Sequence, residues 1–170
     1  MPNEQAILDI LDRIRNRFYG KYRGIVDQVE SGGRGRVKAK VPAVLGPDTA
    51  VWCAPCVPYA GPNVGIAFLP EVGSGVWIEF ENGDVSLPIW SGCYWRDTEL
   101  PASVGPSKKV MRTKAGHEIV FDDDLGTITI EDGNGNIITM NKLGITIQRK
   151  SGKIEVLEAA VKLMDDGLVV

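Results

Sequence analysis

The sequence predicts an all-β protein with one N-terminal helix, a small closed β-barrel and a C-terminal series of short strands shared by three chains. Three patterns support this prediction: an apolar stripe at helical spacing, a Val- and Gly-rich region of short alternating runs, and glycines that recur at intervals of 10, 9, 9 and 8 residues. We therefore divide the chain into a helix at 1–18, a barrel at 19–98, a linker at 99–115 and a stalk at 116–170.

The first segment has the pattern of an amphipathic helix. Asn3 suits the N-cap position, and Glu4 places a negative charge in the first turn. The apolar stripe consists of Ile7, Ile10, Leu11, Ile14 and Phe18. Two roles are open for this stripe, because it can pack on its own domain or dock on a ring of partner subunits.

The second segment breaks into short strands bounded by turn residues. One pair of strands flanks Ser31-Gly32-Gly33, and another pair flanks Asn82-Gly83-Asp84. About five strands in this length suit a closed barrel of the OB type better than a sandwich, which usually needs about seven. The sequence therefore predicts an OB barrel.

The third segment repeats one strand and one glycine turn, with apolar residues on one face of each strand and Thr, Lys or Glu on the other. The stretch 156–164 also fits helical spacing and is interpreted as strand. Such strands leave unpaired edges and bury little apolar surface alone. A meander folded against the barrel is one solution, but nearly equal strand lengths favour an intertwined trimeric β-helix. The residues expected along the trimer axis are Ile128, Ile130, Ile145, Ile147, Ile154 and Val156.

Composition limits the classes of partner and compartment. The net charge of −3 and the pI near 5.2 disfavour nucleic acid as the main partner, because phosphate binding needs a clustered positive surface. No signal-peptide pattern or membrane-length apolar run is present in the sequence, so we expect synthesis and folding in the cytoplasm. Three cysteines do not suggest a disulfide framework.

The Cys53-x-x-Cys56 spacing resembles that of zinc and redox sites. A zinc site needs four ligands, and only Cys93 and His117 remain to complete it. Redox activity requires the motif at a helix N-terminus, whereas these flanks read as strand and turn. We therefore expect buried structural thiols and no metal or other cofactor.

Two acidic segments resemble candidate sites for an ion or for acid–base chemistry. The segment beginning at Asp132 resembles the start of a calcium loop, but Ile137 and Leu143 occupy positions where such a loop requires Gly and Glu. A polar turn between strands is the favoured interpretation, and Asp122 to Asp124 are expected to form a solvated turn. With His117 as the one histidine of the sequence, no credible Ser/His/Asp constellation is found, so we predict no catalytic residues.

A nucleic-acid-binding OB module is the main alternative function. It would use the basic loop from Ser31 to Arg36 and a platform of aromatic residues. The four tryptophans supply candidates, but Trp77 lies in an alternating strand where packing in the core is the usual outcome.

Several segments together resemble a known family. The run from Leu69 to Asp84, followed by Pro88-Ile89-Trp90-Ser91-Gly92, is similar to the OB domain of phage baseplate assembly protein V and of the VgrG spikes of type VI secretion. Segments 35–42 and 55–61 fit the same pattern. The resemblance covers Tyr19 to Trp95 closely and the glycine repeats in style.

This resemblance implies a homotrimeric central spike, which is a structural protein and not an enzyme. Three barrels would join the hub at the end of a tail tube, and a β-helical needle would pierce the target cell envelope when the sheath contracts. The particle would assemble in the host cytoplasm and become part of a virion tail baseplate or an extracellular tail-like particle. No nucleic-acid partner is implied.

The sequence departs from some relatives in two ways. It leaves no room for a lysozyme domain between barrel and needle, and it lacks the His-x-His pair that binds iron at the tip of some short spikes. We therefore expect a separate PAAR-type tip protein to cap the needle at Leu168, Val169 and Val170.

Overall fold

The computed structural model describes residues 2–164 and divides the chain into two compact units, Met1–Glu99 and Leu100–Val170. The first unit begins with helix α1, Pro2–Arg15. Its stripe is exposed, since Ile7, Leu11 and Ile14 retain at least half of their accessible surface. The helix ends before the predicted limit at 18, and Phe18, the last residue of the predicted stripe, packs against the barrel core beyond it. Packing on its own domain, the first of the two roles considered for this stripe, is therefore found for Phe18 alone among the five stripe residues.

The rest of the first unit is a closed five-stranded barrel, as predicted. Its strand order is β1-β2-β3-β7-β6, with β3 and β7 parallel and the other pairs antiparallel. The strands are β1 (Tyr22–Val29), β2 (Val37–Lys40), β3 (Ala50–Pro55), β6 (Gly75–Phe80) and β7 (Pro88–Tyr94). Shorter elements are α2 (Pro42–Leu45), β4 (Ala60–Gly61), β5 (Val64–Gly65) and the 3₁₀ turn Glu81–Gly83.

The barrel core is built from alternate residues of these strands. It consists of Val26, Val37, Ala39, Val41, Cys53, Val76, Ile78, Phe80 and Trp90. The expectation that Trp77 packs in the core is wrong, because its neighbours Val76 and Ile78 point inward and the strand places Trp77 outside. There its ring contacts Tyr94 at 5.1 Å between centroids. Trp90 is the buried tryptophan, and its Nε1–H donates to the Gly35 carbonyl at 3.1 Å.

The second unit is a seven-stranded antiparallel meander in which each strand pairs with its neighbours in sequence. The strands are β8 (Lys108–Arg112), β9 (Glu118–Asp122), β10 (Thr127–Glu131), β11 (Asn136–Asn141), β12 (Gly144–Arg149), β13 (Gly152–Leu157) and β14 (Val161–Met164).

The recurring glycines lie in the turns or at strand starts. The stretch 156–164 contains the end of β13, a turn and β14, so it forms strands, as predicted, with a turn at 158–160 that the prediction did not include. The predicted linker at 99–115 contains strand β8. This strand pairs with β9, and Val110 lies in register with Val120.

The repeat glycines differ in what a side chain would meet. A Cβ on Gly144 would lie 2.0 Å from the Val156 carbonyl oxygen, and φ of Gly144 is +143°, whereas a Cβ on Gly152 would lie 3.5 Å from its nearest neighbour. The methyl group that Gly144→Ala adds must push strand β12 away from strand β13. We therefore expect this variant to lose about 1–3 kcal/mol in the free energy of unfolding.

The matched control is Gly152→Ala, which we expect to change stability by no more than about 0.5 kcal/mol. Urea unfolding followed by far-ultraviolet circular dichroism measures both variants. Equal losses in the two variants would contradict the close approach at Gly144.

Candidate functional site

One face of the seven-stranded sheet is almost entirely apolar. Two cross-strand rows, fixed by the antiparallel register, form this face. The first row is Met111, Ile119, Ile130, Ile138, Ile147, Ile154 and Leu163. The second row is Phe121, Ile128, Met140, Ile145, Val156 and Val161, and it begins at Lys109 on β8. We call these thirteen apolar side chains the apolar face.

Among the described residues, many side chains of the apolar face remain exposed. Ile147 keeps 47% of its accessible surface, Val156 42% and Leu163 60%. In contrast, the inward-facing Ile78 of the barrel keeps 0%. A continuous exposed apolar surface of this kind marks an interaction site, because burying it is favourable by about 25 cal/mol per Å².

The structure places all six residues predicted for the trimer axis on the apolar face. They occupy β10, β12 and β13, and adjacent pairs are in direct register, such as Ile145 with Val156 and Ile147 with Ile154. Whether they contact other copies stays a prediction. Sequence reasoning missed the contributions of β8, β9, β11 and β14 to this face. Alternation within 118–122 and 136–141 was the available signal, but it does not show which strands are neighbours.

The opposite face of the sheet is mostly polar and carries ion pairs, although the Val110–Val120 pair and Ile137 also lie on it. Lys108 Nζ lies 3.1 Å from Asp122 Oδ2, and Arg112 Nη1 lies 3.0 Å from Glu118 Oε2. The expectation of a solvated turn is wrong for Asp122, which is only 5% exposed. The Leu125 backbone N–H and Lys108 hold the pKa of Asp122 below its usual range. The two faces therefore differ sharply in polarity.

Asp132 organises the turn between β10 and β11. Its Oδ1 accepts the backbone N–H of Asn136 at 2.9 Å and that of Asn134 at 2.8 Å, and its Oδ2 accepts Asn136 Nδ2 at 2.6 Å. These donors, chiefly those of Asn136, lower the pKa of Asp132 below its usual range. The carboxylate therefore satisfies the turn itself, in agreement with the predicted polar turn.

The lowered pKa of Asp132 has a consequence for stability at acid pH. Its contribution is present above the unfolded-state pKa of about 3.9 and is lost as pH falls through that value toward the lower folded pKa. We expect the thermal midpoint of the protein to fall as pH drops from 6 to 3, and to fall less in Asp132→Asn. Thermal melts at several pH values test this, and the same slope in both proteins would contradict it.

The three cysteines occupy different environments. Cys53 is buried in the barrel core, and this burial raises the pKa of its thiol to about 11. Cys56 and Cys93 are exposed, so the expectation of buried thiols is correct for Cys53 and wrong for Cys56, which lies just beyond the end of β3. Within residues 2–164, no group of three or more His, Cys, Asp or Glu side chains is arranged to hold a metal ion.

Part of the basic loop and three of the four tryptophans contact other groups of the barrel, whereas Trp95 is 65% exposed. Arg36 Nη2 pairs with Glu30 Oε1 at 2.6 Å, and the Arg36 guanidinium lies 5.4 Å from the ring centre of Trp52. Trp90 is buried, and the rings of Trp77 and Tyr94 contact each other in a tilted arrangement. These contacts give no support to a nucleic-acid platform.

A second exposed apolar region is the loop that contains β4 and β5. Its exposed side chains are Tyr59, Val64, Ile66, Phe68, Leu69 and Val72. Phe68 keeps 68% of its accessible surface, which is unusual for a residue of this size in a loop that folds alone. The barrel thus also presents an apolar surface to its surroundings.

Comparison with known protein families identifies both units. Residues 22–95 match the type VI secretion system and phage-baseplate injector OB domain, and residues 108–169 match the phage baseplate V C-terminal trimerisation domain. The chain belongs to the baseplate V family. Both matched families are structural baseplate proteins, and the second match places the apolar face of this baseplate V protein within a trimerisation domain. No curated protein matches the chain.

The trimerisation domain supports a homotrimer, and the pair of domains supports a role as a baseplate spike in a phage tail. In the part of the chain that the structure describes, no helix is both long enough and apolar enough to cross a membrane.

Proposed function

We propose that three copies of this baseplate V protein form the central spike of a contractile phage tail or tail-like injection machine. The apolar faces of the three sheets meet on one axis and form a β-helical needle. The barrels join the needle to the hub at the end of the tail tube. Contraction of the sheath drives the needle through the target cell envelope.

The apolar face supports this proposal most directly. It lies within the trimerisation domain and is exposed on a single chain. A single sheet cannot shield such a face from water, and three sheets around an axis cover it while leaving the ion-paired faces outside. The six residues expected at the axis are Ile128, Ile130, Ile145, Ile147, Ile154 and Val156.

Mechanical resistance follows from the same arrangement. Each sheet holds its strands by six adjacent antiparallel pairings, and three sheets joined through one core must separate together before any of them unfolds. Such cooperation gives slow unfolding, which suits a part that transmits force. The sheath supplies the work, so the spike requires no catalytic group or cofactor.

The contact with the hub is assigned to the barrel. The barrel matches the injector OB domain and carries the exposed apolar loop with Tyr59, Ile66 and Phe68. The loop of Ser31 to Arg36 faces the hub or neighbouring chains in this assembly. Assembly takes place in the host cytoplasm, and the finished spike belongs to the tail baseplate or to an extracellular particle.

The expected tip contact at Leu168, Val169 and Val170 lies outside the described residues. We propose that a PAAR-type tip protein binds there. An isolated particle whose resolved apex contains only this chain would contradict that part of the proposal.

Native mass spectrometry with small-angle X-ray scattering tests the spike. An elongated particle with three times the 18.5 kDa mass of the chain is expected. A compact monomer would contradict the proposed needle, and the barrel would then be interpreted as an ordinary binding module. Salt-dependent binding of a single-stranded oligonucleotide would then favour the alternative OB function.

A further inference from the structure

The exposed stripe of α1 has the spacing of a coiled coil. Ile7, Leu11 and Ile14 are separated by four and three residues, which are the d, a and d positions of a heptad. Ile10 and Leu8 flank them at g and e, and all five side chains are at least 50% exposed. Asp9 lies on the opposite side of the helix.

A helix of this length needs a partner. The 14 residues of α1 span about 21 Å, and isolated helices shorter than about 12–15 residues are marginal in water. The exposed stripe shows that the barrel of the same chain does not supply the missing apolar contact. Stability of α1 therefore depends on another molecule.

Each copy of α1 is held by its own barrel immediately after the helix ends. The Phe18 N–H donates to the Gly83 carbonyl at 2.9 Å, and Arg17 Nη1 lies 3.5 Å from Asp84 Oδ2. In a symmetric trimer, these anchors hold the C-terminal ends of three identical helices in equivalent positions. The tether raises the effective concentration of each helix for the others toward the millimolar range.

We propose that the three α1 helices of one spike pack on each other as a parallel bundle through Ile7, Leu11 and Ile14. Leu at a and Ile at d favour three or four strands over two in parallel coiled coils, which agrees with a trimer. The bundle is a second trimer contact, separate in sequence from the trimerisation domain. This inference rests on the proposed homotrimer.

Cysteine cross-linking in the full-length chain tests the bundle. Cys56 and Cys93 are replaced by Ser, and Cys53 is kept because its buried thiol is inaccessible. In this background, Leu11→Cys places thiols at the bundle axis, and Asp9→Cys places them on the outer side of the same helix. Mild oxidation should form a disulfide between two of the three chains in each Leu11→Cys particle. The rate of this cross-linking should be independent of protein concentration and at least about tenfold higher than in Asp9→Cys.

The outcomes separate the two proposals. A trimer by native mass in which both variants cross-link equally, or neither does, would overturn the bundle and leave the spike intact. A monomer by native mass would overturn both. Ile14→Asp provides a second measurement, since it should speed amide hydrogen exchange in α1 at least about tenfold while the trimer mass is retained. Unchanged exchange in that variant would also contradict the bundle.

Discussion

Ile147→Asp is expected to abolish the heat-resistant trimer. Ile147 lies on the apolar face in register with Ile138 and Ile154. In the proposed spike, the substitution places three carboxylates near one axis without cations to pair them. Desolvation and mutual repulsion should cost on the order of several kcal/mol per particle, even after relaxation. Native mass spectrometry before and after heating measures the loss.

The matched control is Gln148→Asp on the same strand. Gln148 points to the polar face and pairs in register with Lys153, so the new carboxylate gains a nearby cation. We expect this variant to remain a heat-resistant trimer. If Ile147→Asp also remained one, the proposed orientation of the apolar face toward the axis would be wrong.

Ile78→Ala should destabilise the barrel by about 2–5 kcal/mol. The side chain of Ile78 is fully buried, on a strand that lies between β1 and β7. Its truncation leaves a cavity that the closed barrel cannot fill by local rearrangement. All four tryptophans lie in this unit, so the unfolding of the barrel in urea can be followed by tryptophan fluorescence without a signal from the sheet.

Ile89→Ala provides the same chemical change at an outward position of the neighbouring strand β7. Ile89 is only partly buried and flanks the inward Trp90. Its truncation should therefore cost much less than that of Ile78. Equal losses of stability in the two variants would show that the barrel alternation described above is incorrect.

The sequence was sufficient for the local elements and the class of fold. Helical spacing of the apolar residues located α1, turn residues bounded the strands of a closed five-stranded barrel, and glycine spacing located the strand repeats. These patterns are reliable because the period of a helix or strand and the backbone freedom of glycine act within a few residues. The six residues assigned to one face of the repeats needed only the two-residue period of a strand.

Only the tertiary structure decided how separate strands combine. Alternation shows that Trp77 and Ile78 point to opposite sides, but not which side is the core, and therefore Trp77 was misplaced. Burial of Asp122 depends on Lys108, which is distant in sequence and lies in the predicted linker. The full apolar face likewise required the register of seven strands. Each of these features depends on cross-strand packing, which the period of any single segment does not contain.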